Sequence, residues 1–395
     1  MSAAWPPLWS VSRRPGAGRC RLHQRRVPGR RPGPGVAATV AGVTTTAQPD
    51  WLSPEVVDLA AVVRWAAEHG LPEGPVEDVR RIGGGTQNIV LRMTWAGRDL
   101  VLRRPPEHPR ASSNAVLRRE MRVLAALAGS DVPHPGFVLG CDDESVLGGV
   151  VFYLMEAVDG INPGDLIRGV CADDPAARRA AALDTADALA RLAALDHEAV
   201  GLGDLGRPEG FLARQVPRWV EHLASYDRID GYPGSTLPHV DALARWLTDH
   251  RPPDARPGIV HGDYHLNNVL LAVDAPRVAA VVDWEMCTIG DPLLDLGWLL
   301  VTWPDGLADP IAGGALAALG GLPAPADLAA HYGARSGRDL SALDWYTVLA
   351  GFKLAIVIEG THARAQAGQA ERAVGERLHR NAVDLLDRAA GVAGV

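Results

Sequence analysis

The apolar positions of this chain follow two periods, and the change from one to the other divides it. SPEVVDLAAVVRWAAEHG predicts a helix with Ser53 as N-cap, Pro54 in its first position and Gly70 at its end. VEDVRRIGGGTQNIVLRMTWAGRDLVLRRPP predicts three short strands, separated by turns at GGG and AGRD. NAVLRREMRVLAALAGS returns to helical spacing, with Val116, Val123, Leu124 and Leu127 on one face. VVFYLMEAVDG then reads as a buried strand running into a turn. Together these make a small mixed lobe over about 71–158.

Beyond about 160 the pattern is mainly helical, in ARRAAALDTADALARLAALDH, GFLARQVPRWVEHLASY, PLLDLGWLLVTW and DWYTVLAGFKLAIVIEGTHARAQ. A compact β insert, GIVHGDYHLNNVLL with RVAAVVDWE, interrupts these helices. The fold class expected is α+β, and no internal repeat is visible.

Charge changes this picture at one end. Residues 1–49 hold eight arginines and no acid, whereas the rest carries 31 basic and 47 acidic residues, a net of −16. An acidic body argues against a nucleic-acid binder, and is compatible with a cationic substrate. Residues 1–48, rich in Pro, Gly and Arg without periodicity, are expected to be disordered or a mis-assigned extension. They share the acid-poor composition of a transit peptide but lack its amphipathic pattern. Four dispersed cysteines without a CxxC pair argue against a disulfide framework or a zinc finger, and point to a reducing, cytoplasmic setting. No apolar run approaches the roughly 20 residues that span a bilayer, so no membrane partner is expected.

The octapeptide HGDYHLNN, residues 261–268, carries the densest chemistry. On a strand, His261, Asp263 and His265 would share a face and could hold Zn or Mn, as in a metallohydrolase. No other histidine sits in a paired ligand spacing. Alternatively, Asp263 followed five residues later by Asn268, with four residues between them, has the spacing used in phosphoryl transfer, where a carboxylate orients the attacking hydroxyl. One hairpin, VLLAV–DAPR–VAAVV, would return Asp283 beside Asn268, and an amide with a carboxylate suits Mg²⁺.

These motifs resemble the aminoglycoside phosphotransferase / choline kinase-like family, over roughly 55–390. The H-G-D-x-x-x-x-N loop is matched by His261, Gly262, Asp263 and Asn268. D-W-E is matched by Asp283, Trp284 and Glu285, and G-D-P-x-x-D-L by Gly290, Asp291, Pro292, Asp295 and Leu296. GLGDLGRPEGFLARQVPRWVEHL, with DWEMCTIGDPLLDLGW, is similar to a branch of kinase-like domains associated with acyl-CoA dehydrogenases.

The resemblance implies a two-lobed protein-kinase-like fold, with a nucleotide-binding N-lobe over 49–158 and a C-lobe over 159–390. It implies Asp263 as the catalytic carboxylate, Asn268 and Asp283 as Mg²⁺ ligands, and His261 and Asp295 as supports of the loop. For ATP it implies the Gly83, Gly84 and Gly85 loop, Asn88 near it, and a hinge at Met155 and Glu156. The family expects a phosphate-binding lysine where Arg103 stands, paired with a helix glutamate at Glu120. Arginine keeps the charge but is bulkier and differs in geometry. Trp284 and Trp298 read as packing residues.

The function implied is ATP- and Mg²⁺-dependent transfer of the γ-phosphate to a small-molecule hydroxyl, on an acyl-CoA-type substrate in this branch, with a functional link to an acyl-CoA dehydrogenase. The alternatives are an antibiotic (aminoglycoside or macrolide) phosphotransferase and, motivated by the missing lysine, a catalytically silent nucleotide-binding protein.

Overall fold

A computed structural model describes residues 56–82, 88–304 and 310–395. Helix α1 (Leu59–Glu68) starts later than its pattern predicts, because Asp58 caps it by accepting the Ala61 N–H at 2.9 Å. Ser53, Pro54 and all of 1–48 lie outside the described residues.

Five strands form one antiparallel sheet in the order β1-β2-β3-β5-β4. They are β1 (Val76–Arg81), β2 (Ile89–Trp95), β3 (Arg98–Arg104), β4 (Phe137–Cys141) and β5 (Phe152–Glu156). Along β2, buried and half-buried residues alternate, the period of a sheet covered mainly on one face. Ala96 and Gly97, both at positive φ, close the β2–β3 hairpin in two residues, the geometry that matches strand twist. Strand β4, all but one of its residues half-buried, lacks the alternation that would announce it. The start of the long apolar run, VLGGVV, is turn and connection rather than strand.

Helix α2 (Ser113–Leu127) buries Leu117, Glu120, Met121, Val123, Leu124 and Leu127. Val116, expected on that face, is half-buried and lines a cavity described below. The core is split in two. One cluster joins α1 to the sheet through Val62, Ala66, Leu91, Leu102 and Leu154. The larger one joins α2 and Tyr153 of β5 to the helices that follow. The sheet is therefore fixed to the helical part through α2.

The helical part comprises α3 (Val170–Asp173), α4 (Pro175–Ala194), α5 (Gln215–Ser225), α6 (Val240–Asp249), α7 (Leu293–Thr302), α8 (Gly314–Ala318), α9 (Pro325–Ser336), α10 (Leu343–Gln366) and α11 (Arg372–Ala393). The α+β expectation holds. Helix α10 is buried on most faces and pairs along its length with α11. Between α6 and α7 lie two small antiparallel pairs, β6 (Gly258–Val260) with β9 (Thr288–Gly290), and β7 (Val269–Leu271) with β8 (Val278–Val281). Their connections, 261–268 and 282–287, bring the two densest motifs into one place. No helix among the described residues is long and apolar enough to cross a membrane.

Candidate active site

HGDYHLNN is the connection from β6 to β7, not a strand. Asp295, in the first turn of α7, sets its shape. One carboxylate oxygen accepts the His261 N–H at 2.6 Å and the other accepts the Gly262 N–H at 2.8 Å. Gly262 has φ 88°, and a Cβ there would lie 2.6 Å from the Met286 carbonyl, so glycine is required on both counts. His261 is fully buried. Its Nε2–H donates to the Val282 carbonyl at 3.1 Å, and its Nδ1 accepts the Asp263 N–H at 3.3 Å. Burial pushes the imidazole down to about 4, so it is neutral. With both nitrogens engaged by backbone and no strand to align the three side chains, His261, Asp263 and His265 do not form the metal set their spacing suggested.

Asp263 is buried and its carboxylate is held from three sides. Trp298 Nε1–H donates to Oδ1 at 3.0 Å, Asn268 Nδ2–H donates to Oδ2 at 3.1 Å, and His265 Nε2 lies 3.4 Å from Oδ1. Burial alone would raise this carboxyl. The His265 imidazole, then His261 and Lys353, outweigh burial and hold it well below the usual carboxylate range. It is ionised at neutral pH. Asn268, its N–H used on Asp263, keeps its amide oxygen as a hard donor. The Val282 N–H bonds the Asn268 carbonyl at 2.9 Å, so the β7–β8 hairpin returns Asp283 one residue beyond that contact. Asp283 has φ 68°, a costly conformation for a residue with a side chain.

Arg103 on β3 bridges the sheet to this centre. Its Nε lies 3.1 Å from Glu120 Oε2 of α2, its Nη2 lies 2.8 Å from Asp283 Oδ1, and Glu285 is 3.7 Å away. Burial opposes the guanidinium charge, but the surrounding acids outweigh it and raise Arg103 well above its ordinary value. Burial raises Glu120 to about 7 despite Arg103, and burial with Asp283 raises Glu285 to about 8. Gly83, Gly84 and Gly85 lie outside the described residues; Asn88, just after them, enters β2. Met155 and Glu156 end β5. The Glu156 N–H already bonds the Gly136 carbonyl at 2.8 Å and the Ala157 N–H bonds Asp99 at 3.0 Å. Neither amide can meet a purine without releasing that partner.

A cavity of about 850 Å³ opens beside the loop, reaching it through Gly262 and Glu285. Five cationic side chains line it: Arg81, Arg110, Arg119, Arg218 and Lys353. Three acids oppose them, Glu107, Glu285 and Asp295. Burial pushes Glu285 up to about 8 and Asp295 up to about 7, the latter against the two N–H bonds it accepts. The cavity is cationic within an acidic body.

The model of the phosphotransferase enzyme family matches residues 78–346. The chain belongs to this family. Acyl-CoA dehydrogenase family member 11 of Gallus gallus is 30% identical over 312 residues, covering 76% of this chain and 39% of that protein. Member 10 of Mus musculus is 29% identical over 310 residues, covering 77% and 28%. The chain thus spans less than half the length of these relatives. A crystal structure from Ralstonia eutropha, described as that of a candidate aminoglycoside phosphotransferase, has 31% identity and a TM-score of 0.71, covering 85% of this chain and 98% of that one. The aminoglycoside phosphotransferase APH(4)-Ia, in a ternary complex with AMP-PNP and hygromycin B, has 18% identity and a TM-score of 0.51, covering 81% and 98%. That likeness shows the fold alone, the two-part kinase-like α+β arrangement.

Two residues beside the HGDYHLNN loop escape the sequence patterns. Trp298 is packed, as expected of a tryptophan, yet its N–H is bonded to Asp263. Lys353, the chain's sole lysine, donates from Nζ to the Gly262 carbonyl at 3.0 Å and lies 4.1 Å from the Trp298 ring centre and 5.5 Å from that of Trp219. Burial lowers it to about 8, against Asp263 and Asp295. Its rarity in the sequence was the one signal available. Trp284 is packing only, its N–H closed on the Val281 carbonyl.

Proposed function

We propose that this chain is an ATP- and Mg²⁺-dependent phosphotransferase acting on the hydroxyl of an anionic small molecule, of the hydroxyacyl-CoA type. One observation carries the acceptor class: the cationic cavity against the Asp263 loop. A polycationic aminoglycoside would meet Arg81, Arg110, Arg119, Arg218 and Lys353 with like charge, and like-charge juxtaposition costs several kcal/mol. An acceptor bearing carboxylate or phosphate groups meets complementary charge, and arginine binds such groups in a bidentate fork. The names of the matched relatives, acyl-CoA dehydrogenase family members, support an acyl-CoA-linked acceptor and a functional link to such a dehydrogenase. The nucleotide analogue held by APH(4)-Ia supports ATP as donor.

In this reading Asp263 is the catalytic residue. Ionised and fixed by Trp298 and Asn268, it accepts a hydrogen bond from the acceptor hydroxyl and aims its oxygen at the γ-phosphorus. A carboxylate so far below its usual range is a weak base, so its contribution is orientation and charge before proton transfer. Asn268 and Asp283 offer oxygen donors that fit Mg²⁺, with Glu285 beside them. A magnesium–nucleotide complex there would have its phosphate charge neutralised in the transition state. Arg103 supplies the cation on the phosphates, and Glu120 fixes it. Asp295 and His261 hold the loop. The Gly83–Gly85 loop would cover the phosphates with Asn88 at its edge, and Met155 and Glu156 would border the adenine.

The test is phosphate transfer from Mg-ATP to a panel of hydroxyacyl-CoA, hydroxy acid, aminoglycoside and macrolide acceptors, with the chain and with Asp263→Ala. Turnover of a hydroxyacyl-CoA, lost by orders of magnitude in the variant, is expected; removing a positioned group of this kind costs several kcal/mol of barrier. Higher kcat/KM on an aminoglycoside would refute the acceptor class, and nucleotide binding with no turnover of any acceptor would favour the silent protein.

A further inference from the structure

A second group of side chains lies away from this site, in the hairpin of α10 and α11. Glu359 and His362 stand one turn apart on α10, and His379 reaches them from α11. One donor atom of each lies within 4.8 Å of the other two. Two members are held from outside. Tyr232 O–H donates to Glu359 Oε1 at 2.9 Å, and Thr236 Oγ1 lies 3.5 Å from His379 Nε2. The atoms left over are Glu359 Oε2 and His379 Nδ1, 2.7 Å apart, and His362 Nδ1, which is buried with no hydrogen-bond partner. The two imidazoles stack with centroids 4.3 Å apart.

We propose that Glu359, His362 and His379 bind a zinc ion. Two imidazoles and a carboxylate are the donor set zinc favours, with a fourth position left for water. A Glu-x-x-His pair on one helix face, completed from the neighbouring helix, is how helical bundles build metal sites. A hydrogen-bonded Glu359–His379 pair alone would explain the 2.7 Å contact and the Tyr232 bond. It leaves the buried His362 nitrogen without a function, and buried polar atoms in native proteins have partners. Partners outside the ligands, such as those on Glu359 and His379, are what metal sites use to fix ligand orientation.

Tetrahedral zinc with bonds of about 2.0–2.1 Å sets its donor atoms roughly 3.3 Å apart. The pair at 2.7 Å therefore opens slightly, and the widest gap closes by at most about 1.5 Å, within reach of side-chain rotation. His362 and His379 are half-buried, so an ion can enter. Such an ion would tie α10 to α11. It would also tie the Tyr232 segment to the helix that carries Lys353, six residues from Glu359.

The experiment is independent of phosphotransfer: zinc content by mass spectrometry and zinc affinity by titration of the chelator-stripped full chain, with melting temperature as a second readout. One zinc per chain and a melting temperature raised by zinc are expected. His362→Ala, a change at a half-buried position, should lose the stoichiometric ion while keeping the native circular dichroism spectrum. Tyr232→Phe removes the outer bond on Glu359 and should weaken zinc by roughly 10- to 100-fold. No saturable zinc binding by the native chain, or the same affinity in His362→Ala, would overturn the site.

Discussion

Replacing Arg103 by Met separates a strut from a phosphate-binding cation. The structure gives the guanidinium two close acids, Glu120 at 3.1 Å and Asp283 at 2.8 Å, with Glu285 at 3.7 Å. Glu120 is only 1% exposed. Removing one partner of a buried pair costs roughly 3–5 kcal/mol, because the remaining charge is left without compensation. The sign of the pH dependence follows from Glu120. Its folded-state pKa, about 7, already lies above the ordinary 4.5, so its favourable contribution is complete below about 4.5 and lost as pH rises through 7. Arg103 is the group pulling it down; without Arg103 the loss continues above 7. The variant's drop in melting temperature should therefore be smaller at pH 6 than at pH 8. For nucleotide, loss of a charge-assisted contact worth about 1.5–3 kcal/mol weakens Mg-ATP by roughly 10- to 150-fold in a titration. A variant that melts early but binds Mg-ATP as tightly as the native chain would refute the phosphate assignment and leave Arg103 a strut.

Three other perturbations probe the loop. Trp298→Phe keeps the ring beneath Lys353 but deletes the N–H on Asp263, a bond to a charged acceptor worth about 1.5–3 kcal/mol; kcat should fall by roughly 10- to 150-fold with little change in melting temperature. If Lys353 binds the acceptor as a cation, kcat/KM for an anionic acceptor should fall with a slope approaching tenfold per pH unit above about 8, while Lys353→Met should be slow and flat over that range. Because the folded state sheds that proton near 8 and the unfolded state near 10.5, Lys353 should also make folding more favourable as pH rises across that window. Gly262→Ala adds a Cβ 2.6 Å from the Met286 carbonyl at a positive φ, and about 1–3 kcal/mol of backbone strain alone should lower both melting temperature and kcat.

What the sequence could convey depends on whether the information was local. The HGDYHLNN turn and the hairpin returning Asp283 towards Asn268 were legible because turn length and strand register are set by neighbouring residues, whereas the Arg103–Glu120 pairing was implied by the family resemblance. The α+β division was legible for the same reason, since periodicity changes along the chain. The start of α1 was misplaced because Asp58 supplies a capping oxygen, to the Ala61 N–H, further along the chain than the pattern suggested. Strand β4 and helix α11 escaped because β4 lacks alternation and α11 shows its partner only once α10 is in place. The proposed zinc ligands were overlooked because His379 meets Glu359 and His362 only once α11 packs on α10. The glycine loop, Gly83–Gly85, falls outside the described residues.

The charge proposed for the acceptor could not be read from composition, and the reason is distance. A net −16 over residues 50–395 is spread across a surface where interactions fade beyond a Debye length of about 10 Å. The five cations of the cavity would act on an acceptor at contact range, and they come from positions 81, 110, 119, 218 and 353, which no window of sequence brings together. The same helices connect charge to chemistry. Helix α7 supplies Asp295, which shapes the loop, and Trp298, which holds Asp263; α10 supplies Lys353, bonded to the Gly262 carbonyl of that loop and stacked on Trp298. An acceptor that draws on Lys353 therefore pulls on a group already fixed to the catalytic loop. On the proposed function, selection for negative charge and alignment of Asp263 would become one event, so a neutral analogue of the acceptor should lose kcat as well as affinity.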